Sequence, residues 1–268
     1  MQGHFYPENF EAANRAFLFG DAVKAYFFVR EGRLVMHEEC YFFLMASMRK
    51  MRMNIPLGFT LEFFENLFSE KIIAGGISDA VITFLAYRAE GEKLWKSDIH
   101  YWFRAEPGNI FDLRQPAELD ILKEINVNAG LLSSLRVHCP ENIYAEIYAR
   151  ENDLDDVILL NPHKRIARSI WGNLLFLEGN DVKIPKQAEG AYISPMMENF
   201  VTFLHKKSIA LITEAEFNPF ESQKADEIII FSDERGITPV RKIRSKEFPM
   251  ERFPEMIREW QSSFAVTD

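Results

Sequence analysis

Polar residues able to bind or react gather between two apolar runs of strand length, Val157 to Leu160 and Leu174 to Leu177. Asn161-Pro162-His163-Lys164 is turn chemistry and Gly172-Asn173 is a second break, so the runs predict a two-strand ribbon. Between its strands, Arg168-Ser169-Ile170-Trp171-Gly172-Asn173 is polar and then aromatic. Such a connection is of the kind that lines a site, because connecting loops carry function more often than the strands they join. Elsewhere the reactive residue types are scattered. Cys40 and Cys139 form no C-x-x-C pair, and two cysteines can supply neither a four-ligand zinc site nor a disulfide framework. The six histidines (His4, His37, His100, His138, His163 and His205) lack H-x-x-x-H spacing, so no metal centre is expected. No nucleophile, base and orienting group form a set.

The 268 residues, 47% of them hydrophobic, suffice for one large domain or two ordinary ones. A net charge of −9 argues against nucleic acid or an anionic membrane as the main partner, since either needs a clustered basic face. The first residues have neither a basic stretch nor an apolar core, and nowhere do 18 apolar residues run together. With the sparse cysteines, this predicts a cytoplasmic protein.

Elements must position these residues. Phe17 to Val29 contains a Gly-Asp turn signal and a β-rich run, and Arg30-Glu-Gly-Arg33 turns it into a hairpin. Glu38 to Met53, with Phe42, Met45, Met48 and Met51, and Thr60 to Glu70, with Phe63, Phe64, Leu67 and Phe68, read as helices whose stripes belong to a core. Asp79 to Arg88 and Ile99 to Arg104 read as strands joined around Glu90-Gly91-Glu92. The polar stretch from about 108 to 128 reads as a linker, dividing a smaller α+β domain, 1–115, from a larger one, 116–268. Helices follow over Glu141 to Arg150, with apolar Ile143, Ile147 and Tyr148, over Met196 to Lys207, and over Phe253 to Phe264; Ala225 to Phe231 is a strand.

The order of these pieces is specific. Asn14-Arg-Ala-Phe-Leu-Phe-Gly-Asp-Ala-Val23, Leu154-Asp-Asp-Val-Ile-Leu-Leu-Asn161, Gly172-Asn-Leu-Leu-Phe176, Ala225-Asp-Glu-Ile228 and Gly236-Ile-Thr-Pro-Val240 resemble, in order and approximate spacing, the landmarks of the class IV aminotransferases. These are the fold-type-IV pyridoxal phosphate (PLP) enzymes, including branched-chain and D-amino-acid aminotransferases and aminodeoxychorismate lyase. The resemblance implies the two-domain α+β fold of that family and a homodimer.

It also implies a set of cofactor-holding residues, and here the sequence departs from the pattern. The Schiff-base lysine falls on Leu135 or Arg136; a leucine has no amine, and a guanidinium stays protonated. Lys123, the nearest lysine, is about a dozen positions early by that spacing. The glutamate that pairs with the pyridine nitrogen falls on Arg168, and the phosphate-gripping arginine on Phe43. The phosphate-binding threonine falls on Met196, and a small hydroxyl residue on Asp233, whose charge repels phosphate. Lys24 takes the place of an aromatic residue facing the active site, while Asn173 keeps its family identity.

Losing the amine, the nitrogen partner and three phosphate contacts together predicts a dismantled site: no catalytic residue, no cofactor, and a binding or regulatory pseudoenzyme. Lys24 and Arg168 either give the old pocket a positive lining for a small anionic ligand, with Asp233 as a partial counter-charge, or pair with nearby acidic residues. Arg15, Asp21, Glu227 and His138 read as structural residues. The competing reading is an active PLP-dependent aminotransferase or aminodeoxychorismate lyase with an unusual site, in which Lys24 reaches the cofactor.

Overall fold

Stretches rich in β-branched and aromatic residues build the first sheet of the computed structural model, which describes residues 14–90 and 94–264 and the backbone of 3–5. The chain divides into two compact units. One comprises residues 1–110 with 135–138, the other 111–134 with 139–268.

In the first unit, β1 (Gly3–Phe5), β2 (Ala22–Arg30), β3 (Arg33–Val35), β4 (Ala80–Arg88) and β5 (Ile99–Pro107) form an antiparallel sheet in the order β1-β5-β4-β2-β3. The β2–β3 hairpin turns at Glu31 and Gly32, both at positive φ, the geometry that matches strand twist. Residues 91–93, on which the expected β4–β5 connection partly falls, lie outside the described residues. Phe17 and Phe19 are not in a strand: α1 (Arg15–Phe19) is a short helix, N-capped by the Asn14 side chain and ended by Gly20 in the left-handed region. Both phenylalanines are exposed, whereas Phe27 and Phe28 are fully buried.

Helix α2 (His37–Lys50) packs on β2, burying Cys40, Phe43, Leu44, Met45, Ser47 and Met48 and leaving Phe42 exposed. The Thr60 hydroxyl caps α3 (Leu61–Phe68), whose Phe64 and Phe68 join Phe27 and Phe84 in one aromatic cluster. Of the expected stripes, Met45, Met48, Phe64 and Phe68 are core, whereas Phe42 is exposed and Met51, Phe63 and Leu67 are half-buried.

The second unit is a larger mixed sheet. It contains β6 (Ala117–Leu122), β7 (Asp156–Leu160), β8 (Ile166–Ser169), β9 (Asn173–Glu178), β10 (Asp181–Pro185), β11 (Leu211–Ala215), β12 (Glu227–Ser232), β13 (Gly236–Ile243) and β14 (Lys246–Glu247). The order is β11-β10-β9-β12-β13-β6-β7-β8, with β14 paired to β13. Strand β6 lies inside the stretch expected as a linker; its Ala117, Leu119, Ile121 and Leu122 are buried.

The expected ribbon is also corrected. Strands β7 and β9 do not pair: three strands stand between them, and the partner of β7 in the hairpin is β8. Arg168 is therefore a strand residue rather than a loop residue. Every side chain of β7 is buried because helices and loops cover both faces: Ile158 and Leu160 join one apolar cluster, Val157 and Leu159 another.

Three helices complete the unit: α4 (Pro140–Glu151), α5 (Pro195–Lys206) and α6 (Arg252–Ser262). Helix α4 inverts the expected face. Asn142, Ala145 and Ala149 are buried, and Ile143 and Ile147 are each 54% exposed. Met256 and Trp260 of α6 are buried as expected, with Phe253 and Ile257 beside them.

Candidate functional site

The residues marked by sequence fall into both units. In the first, Lys24 lies on β2 opposite Leu85, and its N–H donates to the Arg136 carbonyl at 2.8 Å. The segment 135–138 is thus hydrogen-bonded to β2. Leu135 is 2% exposed and Arg136 is 6% exposed, so an apolar side chain and a guanidinium are packed where the resemblance asks for an amine. Lys123, the nearest lysine by spacing, is exposed and belongs to the second unit. Phe43 is buried in α2, and His138 packs on Gly20: a Cβ at Gly20 would come within 2.6 Å of the His138 Cβ. That contact makes His138 a structural neighbour of the left-handed cap.

Also in this unit, Asp21 links two arginines. Arg15 Nε donates to Asp21 Oδ2 at 2.8 Å and Arg88 Nη1 to Asp21 Oδ1 at 2.5 Å, while Arg88 Nη2 donates to the Met51 carbonyl. The carboxylate ties the first residue of α1 to Arg88 of β4, which in turn reaches the turn after α2, a scaffold role.

In the second unit Arg168 is 2% exposed, and each of its partners among the described residues is neutral. Nη1 donates to the Ser169 and Ile170 carbonyls at 2.9 and 3.0 Å, and Nη2 to Asn142 Oδ1 at 2.8 Å. The guanidinium stacks over Tyr192, 4.1 Å from the ring centroid. The expectation that Arg168 pairs with a carboxylate is corrected: carbonyl dipoles, an amide and an aromatic face accommodate the charge. Cys139 Sγ lies 3.5 Å from Nη2, and burial pushes its thiol up against the opposing pull of Arg168.

Asn173, at the start of β9, donates from Nδ2 to the Tyr192 carbonyl at 2.8 Å and accepts the Tyr192 N–H at 2.9 Å. Its side chain acts as one more rung, fixing the segment that carries the Tyr192 ring. The preceding Gly172 is obligatory, because a Cβ there would sit 2.3 Å from the Phe231 carbonyl oxygen. Sequence reasoning missed Asn142 and Tyr192. Neither belongs to a motif; each is recognisable only from its hydrogen bond to the other, Asn142 Nδ2 to the Tyr192 hydroxyl at 3.0 Å.

The bend after β8 is held by Asp156. Its Oδ1 accepts the Val157 and Ile170 N–H groups at 2.7 and 3.0 Å, and the Ser169 hydroxyl also bonds it. Burial nevertheless pushes the carboxyl up to about 6.

Met196 and Asp233 meet at the start of α5. Met196 is fully buried; its N–H donates to Asp233 Oδ1 at 3.1 Å, and the Ser194 hydroxyl donates to the same oxygen at 2.8 Å. Asp233 is thus engaged with the helix, not with Arg168. Glu227 does similar work for α6, accepting N–H groups of Glu251, Arg252 and Phe253 at 2.8 to 2.9 Å.

Beside this region a cleft of about 420 Å³ is lined by Asn173, Tyr192, Met197, Thr202 and the carboxyl groups of Glu198 and Glu214, and no lysine or arginine lines it. Burial, followed by the charges of Asp233 and Glu214, pushes the Glu198 carboxyl up. Among the described residues no three histidine, cysteine or acidic side chains could hold a metal ion, and no helix is long and apolar enough to cross a membrane.

Comparison with known proteins covers nearly the whole chain. The family model for amino-transferase class IV matches residues 29–243. Among solved structures, the branched-chain amino acid aminotransferase of Escherichia coli is 14% identical with a TM-score of 0.86, covering 96% of this chain and 90% of that one. An aminotransferase from Brucella abortus bound to PLP is 13% identical with a TM-score of 0.85, covering 98% and 99%. A branched-chain aminotransferase from the archaeon Thermoproteus uzoniensis is 15% identical with a TM-score of 0.83, covering 95% and 89%. No curated protein matches the sequence. The likeness bears out the fold-type-IV α+β architecture expected from the landmarks.

Proposed function

Because the chain belongs to the class IV aminotransferase family, we propose that it is a member that has lost PLP-dependent transamination and works as a binding or regulatory protein, a cytoplasmic homodimer. The observation that carries this reading is Arg168. At the position the resemblance gives to the acidic partner of the pyridine nitrogen stands a guanidinium, sealed under Tyr192 and bonded to two carbonyls and Asn142. A cationic partner there withdraws no proton from solution and gives a protonated pyridinium nothing to pair with.

The rest of the donor set also disagrees with the cofactor. Leu135 and Arg136 offer no amine for a Schiff base, Phe43 no cation for a phosphate, and the Met196 N–H already has an acceptor. These residues do not fit PLP. Arg168, one of the two cations the sequence offers for an anionic ligand, is committed to internal acceptors.

A homodimer is supported by apolar side chains left exposed in each unit: Phe17, Leu18 and Phe19 in the first, and Leu131, Leu132, Ile143 and Ile147 in the second. The functional reading is tested by adding PLP to the purified protein and following the near-ultraviolet and visible spectrum. The reading expects no internal-aldimine band and no borohydride-trapped adduct; a lysine-linked cofactor overturns it. Light scattering on the same sample tests the dimer, which a monomer at all concentrations would contradict.

A further inference from the structure

Helix α5 and strands β10 and β11 meet around the cleft of about 420 Å³. On the helix, Met197 and Val201 stand one turn apart and are buried, while Glu198 and Thr202 form the next stripe and are exposed. On β11, Ile212 and Glu214 share one face by strand alternation, and the parallel register sets Glu214 beside Ile184 of β10. All of these residues line the cleft. It therefore has an apolar floor and, at its exposed rim, one carboxylate from the helix and one from the strand.

The fold does not account for these two charges. Glu216, just past β11, shows the ordinary arrangement, held by Arg165 and Lys186 at 2.7 and 3.1 Å. Among the described residues Glu198 and Glu214 make no ion pair, and no lysine or arginine lines their cleft. Burial first, and then the charges of Asp233 and Glu214, push the Glu198 carboxyl up, so the surroundings disfavour its ionisation. A cation brought from outside would reverse that penalty. Two carboxylates without histidine or cysteine make too small a donor set for a metal centre, whereas the volume is that of a small-molecule site.

We propose that this cleft binds a small organic cation, an ammonium group on an apolar body, with the nitrogen held by Glu198 and Glu214 and the hydrocarbon laid on Ile184, Met197, Val201 and Ile212. An ammonium has three donors, and the Thr202 hydroxyl is the third acceptor at the rim. Both halves of such a ligand are needed. An alcohol of the same length gains only the floor, a carboxylate is repelled, and a bare divalent cation gains only the rim. The cleft lies within the second unit and its two carboxylates are not former cofactor residues, so this inference does not depend on the loss of PLP.

The test is calorimetric titration of the full chain with hexylammonium, hexanol, hexanoate and calcium at matched ionic strength. Hexylammonium should bind saturably, about tenfold or more tighter than each of the others. Glu198→Gln and Glu214→Gln should each weaken it about tenfold without lowering the thermal midpoint, because both side chains are exposed and unpaired. Thr202→Arg, which sets a tethered cation one turn from Glu198, should abolish binding and raise the midpoint. The proposal is overturned if hexylammonium gives no saturable heat, if hexanol or calcium binds as tightly, or if the glutamine variants bind it like the wild type. Glutamine variants that fail to fold also overturn it, since the carboxylates would then serve the fold. A lysine-linked PLP would defeat the functional reading and leave this one standing, so the two failures are distinguishable.

Discussion

The Arg168 guanidinium and the Tyr192 ring are stacked 4.1 Å apart, and Asn142 closes the pair by accepting from Arg168 and donating to the Tyr192 hydroxyl. Three acceptors, the Ser169 and Ile170 carbonyls and Asn142 Oδ1, receive hydrogen bonds from that one cation. Arg168→Met should therefore lower stability by about 3 kcal/mol, since buried acceptors are left without donors. Arg168→Lys should cost less, roughly 1–2 kcal/mol, because an ammonium cannot reproduce the planar fork. Arg168→Glu should be the worst of the three, placing a carboxylate against carbonyl oxygens. Urea unfolding gives the order; an Arg168→Glu variant as stable as wild type would remove Arg168 from the account.

Asp156 sets a pH dependence. Burial raises its folded-state carboxyl to about 6 from an ordinary 3.8, so the folded protein holds a proton that the unfolded chain releases between those values. The contribution to stability is complete below about pH 4 and lost as pH rises through about 6. Relative to Asp156→Asn, which cannot titrate, the wild type should gain on the order of 3 kcal/mol between pH 7 and pH 4. Unfolding curves of both proteins across that range check it; a flat difference would contradict the raised carboxyl.

Glu227 accepts three backbone N–H groups at the start of α6. Glu227→Ala should destabilise by about 2 kcal/mol, with the loss located in α6 by hydrogen exchange at Arg252 and Phe253. Unchanged protection there would mean that the cap contributes nothing.

Asp21 neutralises Arg88, which is 6% exposed. Asp21→Ala should cost about 3–5 kcal/mol, because the arginine remains buried without its carboxylate. The double variant with Arg88→Met should recover much of that loss in a thermodynamic cycle, and an additive result would deny the coupling.

The legible part of this fold was the part written in large apolar residues. Strand β7 announced itself because burial on both faces demands an unbroken apolar run, and the helix of Phe64 and Phe68 because its stripe is wide. Strand β8 was missed because Ile166-Ala-Arg-Ser169 buries two polar residues whose partners come from elsewhere in the chain. Strand β6 reads as linker in the sequence because Glu118 and Asp120 alternate with its buried positions. The face of α4 was inverted since small residues, Ala145 and Ala149, pack on β7 while the larger isoleucines point outward. At the candidate site the departures from the family pattern could be read one residue at a time. What replaced them could not, because the Arg168–Tyr192 stack and the Asp233–α5 contact join positions 24 and 37 residues apart.

The central claim, that this family member no longer forms a Schiff base, is met most directly by borohydride reduction of the purified protein in excess PLP, followed by peptide mapping. The account predicts no stoichiometric adduct on any lysine and no difference between wild type and Lys24→Ala. A single reduced adduct at one lysine, lost together with an internal-aldimine band when that lysine is replaced, would contradict it.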